Sequence, residues 1–202
     1  MHSIEKRITG RIQGKGRGWC FTPKAFLDIG SPEAVRLALH RLEKRGVVRR
    51  LARGLYDYPR EHPTIGRMSP VPELVAKALA ERDATRLQPS GAYAANLLGL
   101  TEQVPARVVF LTDGPSRHVK FGRQEIVLKN TTPRNMATAA RISGTVFQAL
   151  RHLGAKHIGA QQIGHLRKLI DASDAAQLKR DRIYAPGWMH HIIDAIVEEP
   201  SA

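Results

Sequence analysis

Three sets of side chains in this sequence invite a chemical reading. Asp113, Glu125 and Lys129 fall in a β-rich stretch, and an acidic pair with a lysine on a sheet is the residue set of metal-assisted nucleases. Such cleavage needs carboxylates converging on one ion with the lysine beside it. The familiar spacing sets the Glu and Lys two residues apart on a strand; here they are four apart, ~13 Å along one face. "GRIQGKGRG" (10–18) looks like a phosphate loop, but Gly10 to Gly14 is one residue short and Gly16 replaces the hydroxyl that a Walker A loop carries. It reads as a basic connector. Nine histidines include His190-His191 and the pair His152 and His157, yet no H-E-x-x-H or Cys/His set accompanies them. Surface or capping roles are expected for them. Ser90 before Gly91 has no nucleophile-elbow pattern and reads as a helix N-cap, and Cys20 between Trp19 and Phe21 reads as a core thiol. The expectation is a protein with no catalytic residue, metal or cofactor.

The strongest signal is cationic. The chain carries 32 Lys and Arg against 18 Asp and Glu, net +14, with a pI near 10.6. Residues 1–60 hold 14 of those cations and 5 of the anions, net +9. A basic end of this kind fits nucleic acid or an anionic surface. No apolar run approaches the ~20 residues of a membrane helix, and no apolar stretch of a secretory signal follows Met1. A single cysteine excludes an internal disulfide framework. A cytoplasmic protein without a membrane partner is expected.

What positions these cations is a run of short elements. Ile4, Ile8 and Ile12 stripe a helix over 3–13, and "GKGRG" breaks it. Thr22 as cap and Pro23 open a second helix that stops at Gly30; Ser31-Pro32 opens a third that ends at Gly46. Strands 47–50 and 55–58 then flank a turn at Ala52-Arg53-Gly54. Three helices and a basic hairpin are the order of a winged helix-turn-helix. On the third helix Val35, Ala38, Leu39 and Leu42 share one face. Ser31, Glu33, Arg36, Leu37 and His40 lie opposite or at its start and are the candidate base readers of a major groove. Lys15, Arg17, Lys44, Arg45, Arg49, Arg50 and Arg53 are the candidate phosphate contacts, the last three on the hairpin.

Residues 59–72, rich in proline, read as a linker between a 1–60 domain and a 61–202 domain. Beyond it, helices are expected over 72–83 and 91–100, strands over 106–113, 117–122 and 124–130, and helices over 134–153, 159–171, 174–182 and 186–198. The fold class is therefore α+β: an N-terminal winged helix-turn-helix, then a mixed α/β domain with a small sheet and a helical C-terminal part. Arg117, Lys120, Arg123, Lys129 and Arg134 gather around that sheet as a possible second basic surface for DNA or RNA, a solvated sheet face being the equal alternative.

"FTPKAFLDIGSPEAVRLALHRLEKRGVVRRLARGLYDYPR" and "RLQPSGAYAANLLGLTEQVPARVVFLTDGPSRHVKFGRQEIVLKNTTPRNM" together resemble the AbiEi-like antitoxins of type IV toxin–antitoxin systems. The resemblance covers roughly residues 15 to 155, and its second block, with Q-P-S-G-A-Y-A-A-N and V-P-A-R-V-V-F-L-T-D-G, is the more distinctive. It implies a winged helix that binds double-stranded DNA at its own operator, as a monomer or homodimer. It also implies a second domain that counters a nucleotidyltransferase-like toxin, with or without a direct complex. The alternatives are a winged-helix regulator unconnected to a toxin, direct toxin capture by the helical tail, and a nucleic-acid-processing enzyme.

Overall fold

Three isoleucines at four-residue spacing organise the start of the chain. In helix α1 (Ile4–Lys15) Ile8 and Ile12 are fully buried, and the Ser3 hydroxyl accepts the Lys6 N–H at 3.3 Å. The helix passes straight through Gly10 and Gly14, so the expected break comes later, at Gly16 with φ +83°. This structure, a computed structural model, describes residues 3–198.

After strand β1 (Cys20–Phe21) the expected second helix is only a turn of 3₁₀ helix over Pro23–Phe26. Thr22 makes no capping bond there. The reason for the tight turn is an outside competitor: Arg11 of α1 donates to the Ala25 carbonyl at 2.6 Å, and the Ile29 N–H bonds to Phe26 instead. Helix α2 (Pro32–Lys44) follows expectation. Ser31 caps the Ala34 N–H, Pro32 takes the first position, and Val35, Ala38, Leu39 and Leu42 are buried. With Ile8, Ile12, Phe21, Phe26, Val48 and Tyr56 they form one apolar cluster.

Strand β2 (Arg49–Ala52) starts later than the sequence suggests, because the N–H groups of Val47 and Val48 both bond back to the Leu42 carbonyl and finish the helix. It pairs with β3 (Leu55–Asp57), which also pairs with β1, giving sheet order β1-β3-β2. A second, two-stranded hairpin occupies the expected linker: β4 (Glu61–His62) and β5 (Gly66–Arg67) pair antiparallel around Pro63-Thr64-Ile65. Gly66, the first residue of β5, is left-handed at φ +70°, a conformation glycine takes without strain. Helix α3 (Pro72–Asp83) packs on β1.

The chain divides into two compact units. One runs to Thr85 and includes Val119–Glu125; the other comprises Arg86–His118 and the chain from Ile126 onward. The first unit thus continues past residue 60, through the second hairpin and α3.

The second unit begins with strand β6 (Leu87–Ser90), which the sequence hides behind Pro89, and helix α4 (Gly91–Leu97). Strand β7 (Arg107–Thr112), β8 (Arg117–Phe121) and β9 (Gln124–Asn130) complete a four-stranded sheet of order β6-β7-β9-β8, of which Val119–Glu125 is grouped with the first unit. The helix expected over 134–153 is two, α5 (Pro133–Met136) and α6 (Ile142–Leu153), separated by a turn in which Ala140 is left-handed at φ +64°. Helices α7 (Ala160–Leu169), α8 (Ala172–Asp181) and α9 (His190–Val197) close an aliphatic core around Val146, Phe147, Leu150, Leu166, Leu178 and Ile193. Gly187–Met189 make a 3₁₀ turn before α9, where a longer helix is expected. Among the described residues no helix is long and apolar enough to cross a membrane.

Candidate nucleic-acid interface

Burying Val35, Ala38, Leu39 and Leu42 obliges the rest of α2 to face solvent. Ser31, Glu33, Arg36, Leu37 and His40 are all exposed, and Arg41 and Lys44 continue the same face. Leu37 is 51% exposed, an apolar side chain set among polar ones. Arg36 donates to Glu33 at 3.0 Å, and His40 lies 3.9 Å from Glu43. Both contacts are exposed i,i+3 pairs, weak enough for another ligand to displace. The Ser31 oxygen is used in the cap, leaving its hydroxyl proton available to an acceptor. Beyond this end of the chain's basic run, Lys44 is exposed, whereas Arg45 is ion-paired to Glu5 of α1.

The hairpin arginines divide. Arg50 and Arg53 are exposed, with no ion pair among the described residues, and Gly54 at φ +70° forms the tip. Arg49 turns the other way. Its Nε and Nη2 grip both oxygens of Asp57 at 3.0 and 2.5 Å, and Nη2 also donates to the Met68 carbonyl. Asp57 is 1% exposed, so Arg49 is the counter-ion of a buried carboxylate and not a free phosphate ligand. Arg17 is likewise engaged: it donates to the Pro59 carbonyl at 2.8 Å and lies 4.9 Å over the Tyr58 ring. Lys15 is exposed at the end of α1. It lines a cavity of about 560 Å³ with Trp19 and, from α3, Lys77 and Glu81. Of the candidate phosphate contacts, Lys15, Lys44, Arg50 and Arg53 are exposed with no ion pair among the described residues.

The second basic group is not one face. Along β8, Arg117 is half-buried on the side of Phe121, while Lys120 is exposed on the other with His118. Arg123 sits in the exposed turn after β8, Lys129 near the end of β9, and Arg134 on α5, each exposed.

The other reactive side chains are occupied structurally. Asp113 accepts the Arg86 N–H and Nε, each at 2.8 Å, and these bonds hold its carboxyl below the usual carboxylate range. Ser90 occupies the N-cap position of α4, but its hydroxyl makes no capping bond and instead bonds to Gln148 at 3.2 Å. Burial, with Asp57 nearby, pushes the Cys20 thiol up to about 12. His157 and His165 bond to the carbonyls of Leu153 and Leu98. Among the described residues, no three His, Cys, Asp or Glu side chains converge where a metal ion could bind.

A family model described as a family of unknown function, DUF6088, matches residues 7–178. No curated protein matches. A crystal structure of the RV2827C protein from Mycobacterium tuberculosis is similar at a TM-score of 0.49 and 16% identity, over 96% of this chain and 78% of that one.

Proposed function

The chain belongs to DUF6088, a family of unknown function, and we propose that in this member the first unit is a winged helix-turn-helix that binds double-stranded DNA sequence-specifically, without catalysis. The observation that carries the reading is the outward face of α2, with Arg36, Leu37 and His40 exposed ahead of the Arg50 and Arg53 hairpin. A major groove admits one helix, arginine donates to guanine edges, and an exposed apolar side chain such as Leu37 suits a thymine methyl. Arg53 at the hairpin tip and Lys44 neutralise phosphates and supply affinity without sequence information. The resemblance to AbiEi-like antitoxins extends the proposal. In it, the DNA is the chain's own operator, and the second unit counters a nucleotidyltransferase-like toxin.

The test is fluorescence anisotropy of the full chain on its own upstream duplex and on a shuffled duplex, across a salt series. Lys44, Arg50 and Arg53 at the phosphates give a log–log salt slope of roughly −3. Arg36→Ala removes the preference for the upstream duplex, whereas Arg53→Ala weakens both duplexes alike and reduces the slope by about one. Equal binding of both duplexes by the unmutated protein would refute sequence-specific recognition.

A further inference from the structure

The second hairpin lies outside the surface that the sequence predicts. Residues 60–69 are exposed throughout, and at the tip Ile65 is 71% exposed, unlike an apolar residue placed to fill a core. The tip is held rigidly. Pro63 pre-sets the turn, the His62 ring accepts the Thr64 N–H at 3.2 Å, and Gly66 is left-handed. The base is anchored to the C-terminal end of α2 and to β2. Arg67 donates to the carbonyl of Gly46, just past the end of α2, and the Met68 carbonyl accepts Arg49 of β2. Arg60 lies against Gly18 so closely that a Cβ there would meet its Nε at 2.4 Å. Arg17 and Arg67 both flank the hairpin, each within 4 Å of Glu61.

We infer that the β4–β5 hairpin is a second DNA contact that inserts Ile65 into the minor groove beside the major groove occupied by α2. The inference rests on the DNA-binding reading of the first unit and adds a groove, a wedge and a bend to it. An apolar side chain gains nothing from phosphate, but between base steps it replaces lost stacking and kinks the duplex toward the major groove. Arg17 and Arg67 hold the base of the hairpin through the Pro59 and Gly46 carbonyls, so the contact with DNA falls to the tip. A hairpin fixed to the last turn of α2 meets the next groove along the duplex once the helix has docked.

The test uses the full chain and a 30-base-pair duplex from its own upstream DNA, end-labelled for energy transfer, with binding and end-to-end distance read together. The unmutated protein binds and brings the ends closer. Ile65→Ser binds about tenfold more weakly, the scale of burying one isoleucine side chain, and leaves the ends apart. Ile65→Met keeps both effects. If Ile65→Ser binds and bends the duplex as the unmutated protein does, the wedge is overturned while DNA binding stands. If the unmutated protein binds no duplex, both readings fall together.

Discussion

Arg49 and Asp57 allow a sharp test of which hairpin arginines build the fold and which remain for a partner. Asp57 is 1% exposed and Arg49 26%, so the two ends of this pair are not equivalent. Arg49→Ala strands a buried carboxylate with no cation, a loss on the order of 3–5 kcal/mol. Asp57→Asn instead leaves a guanidinium that can turn toward water and keep its bond to Met68, at about 1–2 kcal/mol. Removing both partners together is milder than Arg49→Ala alone, because no unpaired charge stays inside. The assay is urea unfolding followed by Trp19 fluorescence in a Trp188→Phe background, which reports the first unit. Arg49→Ala lowers the midpoint by on the order of 2 M, with Asp57→Asn shifted less and the double variant between them. Equal shifts below about 0.5 kcal/mol for both single variants would mark an ordinary solvated pair and return Arg49 to the phosphate-contacting set.

Two further perturbations test the packing of each unit. The Arg11 hydrogen bonds hold the Asp28 carboxyl at about 2, well below its unfolded value; a depressed carboxylate contributes stability above its unfolded pKa and loses it as pH falls. Acid titration of the first unit should therefore show a loss between about pH 4 and pH 2 that Asp28→Asn abolishes, and an unchanged profile in that variant refutes the assignment. In α6, a Cβ on Gly144 would stand 2.0 Å from the buried Gln88 Oε1 and 2.5 Å from the Thr138 carbonyl. Gly144→Ala should cost about 2–3 kcal/mol of second-unit stability by overpacking, and a thermal midpoint within 1 °C of the unmutated protein would contradict that.

The face of α2 is readable from sequence because helical periodicity is local: all four residues assigned to its core are buried. The 3₁₀ turn at Pro23–Phe26 is not, since the group that takes the Ala25 carbonyl comes from Arg11, fourteen residues back. Arg49, Arg50 and Arg53 look alike in sequence, and only pairing separates them. Across the turn Arg49 faces Asp57, and an opposite charge at that cross-strand position was the available signal. The second hairpin also left a trace, Pro63 followed three residues later by Gly66, the punctuation of a type I turn with a left-handed closing residue. Its surroundings, mostly polar and fully exposed, offered no periodicity to draw attention to it.

Pro89 has a further effect through its place at the outer strand of the four-stranded sheet. In the order β6-β7-β9-β8, β6 is an outer strand, and Pro89 has no N–H to offer a further strand there. Pairing of an added strand along β6 is thereby disfavoured at Pro89.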